Sequence, residues 1–158
     1  MKYILPLFIA LLTVACNAPQ NEKNTSTNRI TFKNKIWKKE DLKTFKVKID
    51  SEKSPHYMSI IMKSDANYPY PLMQLRIQEK QPNGEMLAYN FELNMQTKEE
   101  DFEEIQKRGG KSHLVIPSIV YNASGEYTFT IAHGMPEQTL PGVQNMELIV
   151  KPINVPNP

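Results

Sequence analysis

Residues 73–93, MQLRIQEKQPNGEMLAYNFEL, hold the pattern that decides the fold. Apolar residues occupy every second position, pause for a short polar break, and then resume the same alternation: Met73, Leu75 and Ile77 before the break, and Leu87, Tyr89, Phe91 and Leu93 after it. A period of two places the apolar side chains on one face of a strand. The break contains Asn83-Gly84, a pair that supplies the positive backbone angles of a tight turn. The stretch therefore predicts an antiparallel β-hairpin.

The same alternation recurs along the chain, at Phe45, Val47 and Ile49, at Met58, Ile60 and Met62, and at Tyr127, Phe129 and Ile131. Further strands are predicted near residues 30–36, 111–116 and 146–151. About eight strands at these spacings are typical of a two-sheet sandwich. We predict an all-β fold, a single antiparallel β-sandwich that is jelly-roll or immunoglobulin-like.

Residues 97–110 break the pattern. Thr97 and Glu100 form a capping box, Phe102 and Ile105 fall on one side, and Gly109-Gly110 closes the segment. These features predict one short helix between strands. The acidic residues of this segment are an alternative cation site, but they lack the glycine-containing loop of spaced oxygen ligands that calcium sites use, so we predict no metal site.

The first residues, MKYILPLFIALLTVAC, have the pattern of a bacterial lipoprotein signal: Lys2, an apolar run, and a small residue before Cys16. The apolar run is shorter than the ~20 residues of a membrane-spanning helix. We predict that residues 1–15 are a lipoprotein signal peptide and that Cys16 carries a palmitate-type acyl anchor. The alternative is ordinary secretion with cleavage after Ala15, which would leave Cys16 as a free thiol.

Residues 16–28 are predicted to be the lipidated cysteine and a flexible tether, because residues 17–28 contain no large apolar side chain. The following segment, residues 29–155, has the length of one domain with one core and contains no internal repeat. We assign it to the β-sandwich.

The charge distribution argues against a nucleic-acid partner. The chain carries 19 Lys and Arg residues against 17 Asp and Glu residues. Basic and acidic residues are interleaved, whereas phosphate binding needs a basic stripe or face. We predict no binding to nucleic acid.

No motif for catalysis or for a cofactor stands out. The three histidines, His56, His113 and His133, occur singly and without metal-ligand spacing. His133 continues the inward positions of its strand, which predicts a buried histidine. No strained-turn motif presents a serine for attack, whereas paired carboxylates meet only in space and are not readable from spacing. We predict that the protein is not an enzyme and has no catalytic residues and no cofactor.

Aromatic residues offer the candidate binding surface. Tyr68 and Tyr70 lie in the Tyr-Pro-Tyr-Pro turn that precedes the hairpin, and Trp37 is the only tryptophan. Exposed, they would give flat faces for a sugar ring or an apolar group of a partner. Buried, the tyrosines would plug the end of the sandwich, and Trp37 would belong to the edge of the core.

The order of these features resembles a known family. A Tyr-Pro-Tyr turn opens a strand of the LMQLRI type, and a late strand at residues 125–131, GEYTFTI, is followed by Met135, by LPGV at residues 140–143 and by MEL at residues 146–148. The chain resembles the family of GldH gliding motility lipoproteins over residues 29–152. Pro136 stands where the family commonly has Arg, and Pro71-Leu72 stand where it often has Ser-Asn. The chain therefore resembles a divergent member of the family.

The resemblance implies a membrane-anchored, non-enzymatic component of the bacterial cell envelope, associated with gliding and its linked secretion apparatus. We expect such a protein to be held at the outer membrane by lipidated Cys16 and to dock other envelope proteins through its sandwich surface. The alternative is a periplasmic or surface module that binds a glycan or peptide through Tyr68, Tyr70 and Trp37.

Overall fold

The computed structural model of the protein describes residues 26–50, 53–95 and 111–153. Within these ranges the chain forms ten β-strands and one short turn of 3-10 helix, Lys33–Lys35. The strands are β1 (Ser26–Thr31), β2 (Ile36–Lys38), β3 (Lys43–Ile49), β4 (Pro55–Ser64), β5 (Leu72–Lys80), β6 (Met86–Asn94), β7 (Lys111–Val120), β8 (Gly125–His133), β9 (Thr139–Pro141) and β10 (Val143–Pro152). The helix predicted at residues 97–110 lies outside the described residues.

Two four-stranded sheets make up the sandwich. The first sheet has the strand order β1-β10-β4-β7, and the second sheet has the order β3-β8-β5-β6. β2 and β9 pair only with each other, and every pairing is antiparallel. The predicted all-β antiparallel sandwich is confirmed. The two strands beyond the predicted number are β2 and β9, which span three residues each and are too short to show a periodicity.

The hairpin of β5 and β6 has the predicted strands but a longer turn than the Asn-Gly pair predicts. The amide of Gln81 donates to the carbonyl of Glu85 at 2.9 Å, so three residues lie between the bonded pair. Gly84 alone in this turn has a positive φ, of 89°. Pro82 fixes a negative φ at the first corner position and thereby favours a type I turn, which Gly84 then closes.

The inner faces of the two sheets form one apolar core. Every second residue of β5 and β8 is buried, as their alternation predicts. The largest buried side chains come from both sheets and from β2, and include Trp37, Tyr127, Phe45, Phe129, Met58 and Ile60. Burying one such side chain contributes about 1.5–3 kcal/mol, so the contact between these faces holds the sheets together.

The start of the sandwich is less regular than predicted. β1 begins at Ser26, within the segment interpreted as a tether, and the single strand predicted at residues 30–36 is divided by the 3-10 turn. Asn34 and Lys35 have φ values of 55° and 56°, a left-handed conformation that ends strand pairing. β2 therefore leaves the first sheet and pairs with β9.

A glycine fixes the corner between β9 and β10. Gly142 has a φ of +78°, and its carbonyl accepts a hydrogen bond of 2.8 Å from the amide of Asp65. A Cβ atom at this position would lie 2.3 Å from the backbone nitrogen of Tyr68. The corner can therefore approach the loop between β4 and β5 only with glycine at position 142.

We predict that Gly142→Ala lowers the free energy of unfolding by about 3 kcal/mol, because the added methyl group meets backbone and the residue keeps a left-handed conformation. Gly84→Ala is the matched control: its φ is also positive, at +89°, but nothing lies within 4 Å of the added Cβ. It should cost about 1 kcal/mol. Urea unfolding followed by circular dichroism measures both, and equal losses would contradict the steric argument.

Candidate functional site

Tyr68 is a core residue at the end of the sandwich. Its side chain is 4% exposed, and its hydroxyl donates a hydrogen bond of 3.0 Å to the carbonyl oxygen of Leu72. Burial raises the pKa of this hydroxyl well above its ordinary value. Tyr68 thus closes its own turn and presents no ring face to solvent.

Tyr70 packs edge-on against Tyr68, with ring centroids 5.8 Å apart, and is only partly buried. Its hydroxyl is hydrogen-bonded to the carboxylate of Glu137, which raises the pKa of Tyr70 and lowers the pKa of Glu137. This bond ties the turn before β5 to the segment between β8 and β9.

Trp37 lies in the core with 0% exposure. Its indole nitrogen donates to the carbonyl of Asp41 at 2.9 Å, and its ring contacts Phe32 and His133 at centroid distances of 5.0 and 5.2 Å. The burial predicted for His133 is confirmed, and desolvation lowers the pKa of its imidazole. The structure therefore does not assemble Trp37, Tyr68 and Tyr70 into an exposed aromatic platform.

A buried carboxyl group, Glu79, lies at the opposite end of β5 from the Tyr-Pro-Tyr turn. Its side chain is 2% exposed, and burial raises its pKa. The hydroxyl of Tyr89 donates to it at 3.3 Å. Electrostatic coupling extends from Glu79 to Tyr121 and Tyr127, whose rings lie 4.7 Å apart.

Glu79 was not predicted as a site residue, although the sequence contains a signal for its burial. Glu79 continues the inward series of Met73, Leu75 and Ile77. A charged residue at an inward position of a strand indicates a buried polar group, because the period of a strand fixes the direction of its side chain.

The four edge strands of the sandwich differ in how they are protected against pairing with another chain. β3 carries Lys43, Lys46 and Lys48, β7 contains Pro117 and an irregular register, and β1 spans only six residues. Lysine, proline, irregularity and shortness all discourage edge pairing. β6 spans nine residues, contains neither lysine nor proline, and pairs regularly with β5 along its length.

A shallow polar groove of about 520 Å³ lies beside β6 on the outer face of the second sheet. It is lined by Gln74, Leu75, Arg76, Asn90, Phe91, Glu92 and Gly134. Gln74 donates to the carboxylate of Glu92 at 3.4 Å, whereas Arg76 forms no ion pair with any other described residue. The groove therefore offers an exposed guanidinium group next to the unprotected edge.

Across the described ranges, no three His, Cys, Asp or Glu side chains are placed to hold a metal ion. The same residues include no helix that is long and apolar enough to cross a bilayer.

Comparison with known proteins gives one match. A family model described as GldH lipoprotein matches residues 24–148. The chain belongs to the GldH lipoprotein family. Neither the curated proteins nor the solved structures gave a match.

The match to the GldH family confirms the resemblance seen in the sequence. The matched residues include all strands from β1 to β9 and reach Leu148 in β10. Membership in a lipoprotein family implies a membrane-anchored location in the cell envelope. The features common to the GldH family and this chain therefore extend over both sheets of the sandwich.

We predict that Glu79→Gln stabilises the protein at pH 7 by about 1 kcal/mol, because a neutral amide avoids the cost of burying a carboxyl group that is ionised in the unfolded chain, and it keeps an oxygen that accepts from Tyr89. The pKa of Glu79 in the folded state is raised above its ordinary value of 4.5. Above that pH the unfolded chain has released the proton of Glu79 while the folded chain still retains it, so the destabilisation caused by Glu79 grows as the pH rises. The gain should vanish toward pH 4.

Urea unfolding at a series of pH values measures this difference. Glu92→Gln, on the exposed face of the same hairpin, is the control and should change the free energy of unfolding by less than about 0.5 kcal/mol. A Glu79→Gln variant that is less stable at pH 7 would show that the buried charge is favourable.

Proposed function

We propose that this protein is a non-enzymatic envelope lipoprotein of the gliding-motility type, anchored through acylated Cys16, whose sandwich docks other envelope proteins. The family match over residues 24–148 carries the proposal, because it extends over nearly the whole sandwich and not over one loop or pocket.

The shape of the domain supports docking. A docking domain needs a surface on which another protein can bury area, and an unpaired sheet edge is one of the simplest such surfaces. Among the described residues, β6 pairs with β5 alone, and the polar groove of Arg76 adjoins it. The alternative, a module that binds a glycan or peptide through Tyr68, Tyr70 and Trp37, required exposed aromatic rings, but Trp37 and Tyr68 are 0% and 4% exposed.

The positions of the titratable groups support a non-enzymatic role. Glu79 and His133 have pKa values shifted by burial, yet their side chains are 2% and 1% exposed. Catalytic groups with shifted pKa values act where substrate reaches them, in clefts. These two groups instead lie within the core of the sandwich.

We predict that Cys16→Ala gives a folded protein that no longer partitions with membranes, because it lacks the acyl chains whose burial contributes about 0.8 kcal/mol per methylene group. Thr13→Leu, which changes the leader but keeps the cysteine, is the control and should stay in the membrane fraction. Fractionation on a density gradient should place the unaltered protein in the outer membrane. Unchanged membrane retention of Cys16→Ala would refute acylation as the anchor.

We predict that a lysine-reactive crosslinker applied to intact cells, followed by affinity capture of the full chain, recovers other envelope proteins. The released Cys16→Ala variant should recover fewer of them, because it is no longer concentrated at the membrane. Recovery of no envelope protein with the anchored chain would overturn the docking role.

A further inference from the structure

Backbone groups along one side of β6, from Met86 to Glu92, have no partner among the described residues. The amide of Met95 donates to the carbonyl of Pro71 at 2.8 Å, and Gln81 and Glu85 are bonded at the other end of the hairpin. In this register the odd-numbered residues of β6 bond to β5. The backbone N–H and C=O groups of Met86, Ala88, Asn90 and Glu92 therefore point away from the sheet.

The other neighbour of β5 confirms this alternation. The amide of Gly134, directly after β8, donates to the carbonyl of Gln74 at 2.7 Å. Even-numbered residues of β5 thus bond to β8, and its odd-numbered residues are left for β6. The outward groups of β6 are spaced as an added strand requires.

Four partly buried apolar residues of β6 and β7, which we call the apolar slot, lie beneath this edge. β6 and β7 contact each other where the two sheets meet at one side of the sandwich. The inward rings of Tyr89 and Phe91 stack with centroids 6.1 Å apart, yet both are only partly buried. Leu114 and Ile116 of β7 are also partly buried. Side chains of an added strand that point inward would complete the burial of these four residues.

The outer face beside the edge carries a positive charge. Arg76 is paired with Asn90 across β5 and β6, and it is exposed. An added residue opposite Asn90 would lie two strand spacings, about 10 Å, from the backbone of Arg76. The long side chains of arginine and an acidic residue span that distance, so an aspartate or glutamate is the complementary residue there.

Resting on the docking role proposed above, we propose that β6 takes up an extended segment of a partner protein as a fifth strand of the second sheet. The segment has apolar residues at alternate positions, which enter the slot of Tyr89, Phe91, Leu114 and Ile116. Between them it has an acidic residue, which pairs with Arg76.

A second copy of the chain fits this edge less well. Antiparallel self-pairing of β6 sets a carboxylate, that of Glu92, opposite Asn90 only in the register centred on Phe91. β1, the first described strand, is the edge strand of the first sheet opposite to β7, and it therefore lies on the side of the sandwich away from β6.

We predict that a photoreactive amino acid at Asn90 of the full-length protein crosslinks in intact cells to a partner, whereas the same group at Thr44 on the lysine-rich edge strand β3 does not. Mass spectrometry of the crosslinked peptide should identify a segment with alternating apolar residues and an acid. Ala88→Pro should reduce the yield about tenfold, because the ring removes an outward N–H and blocks the edge, a change of about 1.4 kcal/mol. Thr44→Pro is the matched control and should leave the yield unchanged.

Arg76→Glu tests the same proposal without changing the backbone, and should also lower the yield about tenfold. Hydrogen exchange adds a check on the isolated protein: the amides of Ala88 and Asn90 should exchange quickly, and those of Tyr89 and Phe91 slowly. Fast exchange of all four amides would refute the assigned hydrogen-bond pattern.

The remaining outcomes overturn the proposal. A crosslinked product of twice the mass of the chain would show that a second copy occupies the edge. A crosslink to residues 96–110 would show that the chain itself occupies it. If lysine crosslinking captures envelope proteins equally from the Ala88→Pro variant and the unaltered protein, docking stands and strand addition at β6 is wrong. If neither method captures an envelope protein, the proposed docking function fails as well.

Discussion

Exclusion of water from the space between the two sheets is the constraint on which the rest of the structure depends. Each strand of the second sheet directs every second residue toward the core, so its register is set by which side chains must face the core. A slip of one residue in β5 would turn Met73, Leu75 and Ile77 to solvent. The connecting loops take the conformations that the packed sheets require. At Gly142, the absence of a side chain allows the corner between β9 and β10 to lie against the backbone at Tyr68.

The same constraint explains the polar groups that the core encloses. Glu79 and His133 occupy inward positions of β5 and β8, where the backbone directs their side chains away from water. The hydroxyl of Tyr89 reduces the cost for Glu79, whereas the ring of Trp37 contacts His133 and leaves both imidazole nitrogens without a hydrogen-bond partner among the described residues. The hydroxyl of Tyr121 is buried without a hydrogen-bond partner among the described residues. These sites contribute less to stability than apolar residues in the same places would.

Two sheets that pack face to face leave four edge strands, and these strands differ in how well they are protected against pairing with another chain. The edge strand β3 carries three lysines, whereas β6 pairs with no second strand among the described residues and lies beside partly buried apolar residues and an exposed arginine. β1 and β3 contact each other on one side of the sandwich, and β6 and β7 on the other. The side that holds β1, the first described strand, is thereby opposite to the edge formed by β6.

The sequence by itself determined the fold class, because the alternation of apolar and polar residues is a local property of each strand and results from burial of one of its faces. It also indicated the hairpin of β5 and β6, the inward position of His133 and the family. It did not determine which aromatic residues are exposed, since the environment of Trp37 depends on Phe32 and His133, whose partners are set only when β2 pairs with β9. The order of strands in each sheet, and with it the unprotected edge of β6, was likewise decided only by the tertiary structure. Edges arise from pairings between strands distant in the chain, and local periodicity carries no information about which strand remains unpaired.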